Sequence, residues 1–258
     1  SMPLLLSVLA HLLADFIFQT DKTVEDRLAL RFSGFFKHGI TVFLTMLALL
    51  LPYGFISSFL YSLAVSLIHI FLDIMKSSIE RRRSAVASFY LFLIDQFLHI
   101  ATIILLVPLF HLKVTASFEG LIGSMAAYTG IDPGRLPVGR MLFTAIVYLS
   151  VVFGGAVFIR KLFDLIYRNE PDYLSRIMGS NAVLNNVRTG KVIGIFERLV
   201  VLTIYLTGNV ASIGIVIAAK SFARFKHFDN KDFAEYYLIG TLASVMLAII
   251  GGIILRTF

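Results

Sequence analysis

The stretch LAVSLIHIFLDIM at residues 63–75 decides the fold, because it places His69 and Asp73 inside a run apolar enough to cross a membrane. The two residues are one helical turn apart, so they project from the same face of a helix. An aspartate costs about 2.5–3.5 kcal/mol in the middle of a membrane helix, and such residues usually face the interior of a bundle and mark a functional site. The stretch therefore predicts a membrane helix with one polar face turned toward other helices.

Two further apolar runs repeat this spacing. LLSVLAHLLADFIF at residues 5–18 contains His11 and Asp15, and FYLFLIDQFLHIATII at residues 89–104 contains Asp95 and His99. At about 1.5 Å per residue, the runs with His11 and His69 place their pairs roughly 5–12 Å from one membrane face, and the remaining pair lies roughly 15–21 Å deep. A helix that starts near Tyr90 would remove this difference. Because His38 opens another run at the same face, the sequence predicts a single polar layer.

Imidazole and carboxylate groups in one buried layer are ligands that Zn²⁺ and other divalent metals prefer. The chain has no cysteine, so disulfides, thiolate metal sites and cysteine nucleophiles are excluded. We expect a divalent metal as cofactor, in the first place Zn²⁺, with Mn²⁺ and Fe²⁺ as alternatives. The predicted metal ligands are His11, His38, His69, Asp73 and His99. The predicted catalytic residues are Asp15, Asp95 and Lys76, and Gln19 is predicted to support them from the face that carries His11.

Other interpretations of these pairs stay open. Histidine–aspartate hydrogen bonds between membrane helices can simply fix packing, at about 0.6 kcal/mol each, and chains of such residues also carry protons. A transporter of metal ions or protons needs polar groups that continue to the opposite membrane face. The segments Met46–Leu51 and Ile103–Leu109 are almost wholly apolar, which favours a pocket open to one side. A non-catalytic membrane scaffold is the third alternative.

Composition predicts a multi-pass membrane protein. Hydrophobic residues make up 58% of the 258 residues and charged residues only 15%, against about 25% in soluble domains. The net charge of +7 falls in loops between apolar runs, as the positive-inside pattern requires, so nucleic acid is not a predicted partner. The same pattern puts residues 20–37, 76–84 and 160–191 in the cytoplasm and the N-terminus outside. We expect an all-α transmembrane bundle of about six full spans plus a broken or re-entrant hairpin.

The predicted organisation has three parts. Residues 1–110 form a four-helix membrane half with the His/Asp pairs, residues 111–140 an extracytoplasmic loop, and residues 141–258 a C-terminal membrane half. Residues 192–225 are too short for two full spans of about 20 residues each, and Gly208-Asn209 interrupts them. A hairpin whose irregular backbone is buried in protein accounts for both features.

A second charged group lies in the C-terminal third. Helix-end snorkelling and ion pairing are sufficient to explain it. The functional hypothesis is a site for a lipid headgroup or phosphate, with Arg198, Lys220 and Arg224 as anion ligands and Glu197 and Glu235 in support. Combined with a metal-bound water, this site predicts hydrolysis of a membrane lipid at the cytoplasmic side. Membrane lipids are then the expected partners, and oligomerisation is not indicated.

Six motifs resemble a domain-of-unknown-function family of prokaryotic inner-membrane proteins. They are HLLADFIFQTDK at 11–22, HIFLDIMK at 69–76, IDQFLH at 94–99, GKVIGIFER at 190–198, KSFARF at 220–225 and AEYYLIGTL at 234–242. The resemblance implies a location in the prokaryotic inner membrane and implies no activity. In principle the His/Asp layer is also similar to the zinc site of the alkaline ceramidase and adiponectin-receptor superfamily, although the motif order of those proteins is absent here.

Overall fold

The structure, a computed structural model, describes the chain except for residues 82–83, 131, 171 and 179–182. All regular elements in the described residues are helical. The chain divides into two compact units, Ser1–Ile146 and Val147–Phe258. We call them unit 1 and unit 2.

Five helical segments of the described chain are long and apolar enough to cross a membrane. They are Phe32–Tyr53, Phe55–Glu80, Ala85–Phe110, Val138–Ile166 and Lys231–Thr257. A sixth span results if Met2–Ile17 and Asp21–Leu28, which meet at 88°, are counted as one broken span. The prediction of an all-α polytopic bundle is therefore confirmed, and the chain has the helices of a multi-pass membrane protein. Its orientation and the identity of the membrane stay predictions.

Unit 1 contains all three His/Asp pairs. Its elements are α1 (Met2–Leu12), a π-helical segment (Leu13–Ile17), α2 (Asp21–Leu28), α3 (Phe32–Leu50), α4 (Phe55–Glu80), α5 (Ala85–Leu106) and α6 (Ala116–Thr129). Helix α6 has no buried residue and lies within the segment that the sequence predicted as a loop. Helix α2 was also not predicted. It begins where the Thr20 hydroxyl accepts a hydrogen bond from the Thr23 amide at 3.3 Å, an ordinary N-cap.

Two glycines let the helices that carry the site approach one another closely. A Cβ on Gly34 of α3 would stand 2.8 Å from the Arg27 amide nitrogen of α2. A Cβ on Gly39, one turn further along α3, would collide with the Ile70 side chain of α4. These contacts bring Arg27 and His38 against the polar face of α4.

An apolar cluster packs around the first half of α4, next to the His/Asp pairs. Its buried members come from α1, α3, α4 and α5 and from the turn after α3: Ala10, Met46, Leu50, Tyr53, Tyr61, Val65 and Ile103. Burial of this apolar surface contributes roughly 25 cal/mol per Å² in water. Inside a membrane, the close fit of the side chains has to provide more of the stabilisation.

The helices of the C-terminal part begin just before the boundary between the units. They are α7 (Val138–Leu149), a second π-helical segment (Ser150–Gly154), α8 (Gly155–Ile166), α9 (Tyr173–Met178), α10 (Val183–Thr207), α11 (Ala211–Ala223) and α12 (Lys231–Thr257). The predicted break at Gly208-Asn209 separates α10 from α11. The stretch between Arg168 and Arg188 includes the short helix α9 and the start of α10. Residues 171 and 179–182 of that stretch lie outside the described residues.

A candidate metal centre in unit 1

Helix α4 provides the centre of the site. His69 and Asp73 lie one turn apart on its buried face and are 2% and 3% exposed. His38 of α3, 1% exposed, faces them, and its Nε2 lies 2.9 Å from Nε2 of His69. Two imidazole nitrogens at this distance either share an N–H···N hydrogen bond, with one ring protonated at Nε2, or present both lone pairs to a cation. Either a proton or a metal ion can therefore lie between the two nitrogens.

The π-helical segment after α1 determines where Asp15 points. Single π turns within α-helices are frequent at functional sites because they change the direction of a side chain. Oδ1 of Asp15 lies 3.4 Å from Nε2 of His38, 3.4 Å from Nε2 of His69 and 3.6 Å from Nδ1 of His11. The helical segment ends at Ile17, so Gln19 lies beyond it. The sequence had predicted that Gln19 shares the face of His11 and Asp15, and it does not.

Two carboxylate oxygens each lie close to both histidine nitrogens, which makes a set of four donor atoms. They are Oδ1 of Asp15, Nε2 of His38, Nε2 of His69 and Oδ2 of Asp73. Oδ2 of Asp73 is 3.5 Å from each of the two histidine nitrogens. The five measured separations within this set therefore run from 2.9 to 3.5 Å. A tetrahedral ion with bonds of about 2.0–2.1 Å holds its ligands about 3.3–3.4 Å apart.

The third pair lies beside these four residues on α5. Asp95 Oδ2 accepts hydrogen bonds from Lys76 at 2.8 Å and from Gln96 at 3.3 Å. His99 donates from Nδ1 to the Asp95 carbonyl oxygen at 2.7 Å, so in the neutral ring the lone pair is on Nε2. The ring of His99 lies 4.0 Å from that of His69 and stacks on His11 at 5.2 Å, measured between centroids.

The sequence predicted that Asp95 and His99 lie deeper in the membrane than His69 and Asp73. This difference is smaller in the structure because α4 is longer than predicted, whereas α5 does not start later. Helix α5 begins at Ala85, the start on which the predicted depth of Asp95 and His99 rests, so a later start near Tyr90 does not remove the difference. Helix α4 continues to Glu80, four residues beyond Lys76. Counted from these two ends, Asp95 is ten residues deep and Asp73 seven, a difference of about 4.5 Å.

Two cations balance part of the negative charge. Arg27 donates to Asp73, and Lys76 pairs with Asp95. Among the described residues, Asp15 has no lysine or arginine within ion-pair distance. With neutral imidazoles, three carboxylates and two cations give a net charge of −1. A buried negative charge of this kind is unfavourable unless a proton or a metal ion compensates it.

Several polar atoms of the site have no hydrogen-bond partner although they are shielded from solvent. They are both ring nitrogens of His11, Nδ1 of His38, Nε2 of His99, Oδ1 of Asp15, Oδ1 of Asp95 and Nε of Arg27. Buried polar groups are normally paired. The described residues contain three overlapping groups that could hold a metal ion: His11 with Asp15 and His69, His38 with His69 and Asp73, and Asp73 with Asp95 and His99.

Arg27 is the site residue that the sequence argument missed. It was counted only among the basic residues of a cytoplasmic loop, because α2 was not predicted. The available signal was Thr20, an N-cap residue immediately before an acidic and then basic segment.

In unit 2, the predicted anion ligands do not converge. Arg198 is 2% exposed and donates to the Val152 carbonyl oxygen at 2.6 and 3.1 Å. Lys220 donates to Glu197 at 2.5 Å and to the Thr241 hydroxyl at 2.9 Å. Glu235 is exposed and lies 3.7 Å from Lys231, not beside Glu197. Arg224 caps the end of α11. The buried cations are therefore engaged by the protein itself.

Comparison with known proteins shows one similarity. Residues 3–125 match a family described as "Protein of unknown function (DUF3307)". The matched part contains every residue of the candidate metal centre and the first three motifs quoted above. The three motifs after residue 190 lie outside it. Among curated proteins and among solved structures, none matches this chain.

Proposed function

We propose that this chain is an integral membrane protein that binds one divalent metal ion through Asp15, His38, His69 and Asp73. The observation that carries the proposal is the set of five donor separations between 2.9 and 3.5 Å. Relative to the sequence prediction, Asp15 becomes a ligand, and His11 and His99 become neighbours of the ligand set.

Ligand chemistry favours Zn²⁺. Two imidazoles and two carboxylates suit zinc, whereas Mg²⁺ and Ca²⁺ prefer six or more oxygen ligands. The charge favours a single ion, because one divalent cation changes the net charge from −1 to +1, which one hydroxide or anionic substrate can neutralise. A second ion would leave +3 in a region shielded from water.

Metal content of the purified protein tests this proposal. We expect about one zinc per chain by elemental analysis in wild-type protein and in the control variants His111→Ala and His227→Ala. His38→Ala and His69→Ala should each weaken metal binding by at least about tenfold. Equal metal content in all five proteins, or none in any of them after dialysis against zinc, would contradict the proposal.

We further propose that the metal ion supports hydrolysis of an ester, amide or phosphoester bond in a membrane lipid. A bound divalent ion lowers the pKa of its water to about 7. Asp15 can yield its position to water, because it lies on the π-helical segment and has the most exposed side chain of the four ligands, at 10%. His11, with both ring nitrogens unpaired, is placed to take a proton from that water and return it to the leaving group.

In this reaction, water oxygen bonds to the carbonyl or phosphoryl centre and the bond to the leaving group breaks. Lys76, beside Asp95, can stabilise the developing oxyanion. Incubation of zinc-loaded protein with a bacterial lipid extract, followed by mass spectrometry, checks for cleavage products. We expect products with wild type and His111→Ala and a large reduction with His11→Ala, which retains the four ligands. A zinc-loaded protein that changes no lipid would refute hydrolysis and leave metal binding intact.

Cation transport is the second candidate, because polar groups of α4 continue beyond the site. The apolar segments Met46–Leu51 and Ile103–Leu109 lie mainly on α3 and α5, whereas α4 carries buried serines in the same half of unit 1. The argument for a pocket open to one side therefore does not extend to α4.

A further inference from the structure

The buried face of α4 is polar over most of the length of the helix. Helix α4 is described completely, and its buried residues are Ser58, Tyr61, Ser62, Val65, Ser66, His69, Asp73 and Ser77. Val65 is the one member of this set without a polar side-chain atom. From Ser58 to Ser77 the face is about 29 Å long, which is close to the thickness of the hydrocarbon core of a bilayer, about 30 Å.

Small serines at four-residue spacing often serve only to let helices pack closely. The hydrogen bonds at the Ser58 end of the face are not continued by the next serines along the helix. Ser58 donates to the Leu50 carbonyl oxygen at 2.5 Å, and Tyr61 donates to Ser7 at 3.1 Å. The hydroxyls of Ser62 and Ser66 have no partner, although these residues are 0% and 4% exposed.

A second observation points to the same region. The unpaired ring nitrogens of His11 and His99 belong to rings that surround His69, one turn of α4 beyond Ser66. Two unpaired imidazoles and two unpaired hydroxyls therefore follow one another along the interior of unit 1. In a membrane, such groups need water or an ion as partner, because lipid offers none.

We propose that the α4 face from His69 to Ser58 is a hydrated pathway that conducts protons between the metal centre and the opposite membrane face. Hydroxyl groups and water can pass a proton along a hydrogen-bonded chain. Beyond Asp73 the buried side chains of α4 include no carboxylate, so the pathway lacks the ligands that a divalent cation would need to leave its water. The pathway is independent of metal occupancy and goes beyond the proposed metal binding.

Cysteine accessibility tests for water in this region, because the natural chain contains no cysteine. Ser62→Cys and Ser66→Cys are nearly isosteric, and Val42→Cys, at a residue 1% exposed on α3, is a control of equal burial. In detergent-solubilised, chelator-treated protein, we expect methanethiosulfonate-ethylammonium to modify the two serine variants at least about tenfold faster than the control. Equal rates at the three positions would mean that the serines are only a packing surface and would overturn the proposal.

Proton flux tests conduction. In liposomes with an entrapped pH dye, we expect wild-type protein and Ser212→Leu to dissipate a pH gradient at least about tenfold faster than Ser62→Leu. Ser62→Leu should retain its zinc, which separates a blocked pathway from a lost metal site. Fast labelling without any flux above protein-free liposomes would overturn proton conduction. Loss of metal binding with flux preserved would overturn the metal proposal and support the pathway.

Discussion

Both units bury ionisable side chains, but they satisfy them differently. In unit 2, Glu197 pairs with Lys220 through Oε2 and Arg198 binds a backbone carbonyl oxygen, and one atom of these groups, Oε1 of Glu197, has no hydrogen-bond partner. In unit 1, three carboxylates share two cations, and seven polar atoms of the site have no hydrogen-bond partner. Burial of charge alone therefore does not distinguish a functional site from a structural pair. The difference lies in how many donors and acceptors the protein leaves unsatisfied, one beside the Glu197–Lys220 pair and seven in the His/Asp site.

The largest loss of stability should follow the removal of a cation from the His/Asp cluster of unit 1. Arg27→Met leaves Asp73 without its cationic partner and changes the net charge of the cluster from −1 to −2. We expect the free energy of unfolding in detergent to fall by about 3–5 kcal/mol. Arg31→Met is the control, because the Arg31–Asp26 pair is largely exposed on the arginine side, and its loss should cost at most about 1 kcal/mol. Equal losses in the two variants would show that Asp73 does not depend on Arg27.

Zinc should stabilise unit 1, and this stabilisation should not depend on the charged residues of unit 2. Zinc at about 100 times its dissociation constant should raise the unfolding free energy by about 2.7 kcal/mol. The same increase is expected for the double variant Glu197→Gln/Lys220→Met. It should be absent in His38→Ala/His69→Ala. Thermal unfolding in detergent, with zinc and with chelator, measures the zinc-dependent increase in stability. An increase that is lost when Glu197 is replaced would show that the metal site lies in unit 2.

The pair in unit 2 should behave as a structural contact. Lys220→Met removes a cation that hydrogen-bonds Glu197 and Thr241, and we expect a loss of about 1.5–3 kcal/mol. The double variant Glu197→Gln/Lys220→Met leaves no unpaired charge and should recover part of that loss. Metal content and lipid products should not change in either variant. A change in lipid products at constant stability would instead indicate the predicted headgroup site.

The smallest effect should come from the cap that places Arg27. Thr20→Ala removes the hydroxyl that begins α2 and should cost about 1 kcal/mol. Because α2 carries Arg27, the metal affinity should change slightly as well. Thr129→Ala, at the end of the exposed helix α6, is the comparison, with an expected change below about 0.5 kcal/mol. Isothermal titration with zinc, combined with chemical unfolding, checks both quantities.

The sequence by itself was sufficient for the membrane class, the helical fold and the residues of the polar layer. Long apolar runs admit few structures in a membrane, and a four-residue spacing places His69 and Asp73 on one face wherever a helix forms. The break at Gly208-Asn209 was predictable for the same reason, since local interruptions of an apolar run are visible in the sequence.

Only the tertiary structure decided which of these residues act together. The pairing of Arg27 with Asp73 depends on the sharp bend between α1 and α2 and on the space that Gly34 leaves, and neither follows from helical periodicity. The direction of the Asp15 side chain depends on the π-helical segment Leu13–Ile17. The spacing of residues in the sequence does not show where such a segment forms. Arg198 and Lys220 bind the Val152 carbonyl oxygen and Glu197, because long cationic side chains reach the acceptors that the packing offers, and the anion site expected there stays a prediction. Ser62 and Ser66 became candidate pathway residues only because the structure buries their hydroxyls without a hydrogen-bond partner. Serine is common in helices, so the sequence alone does not distinguish them.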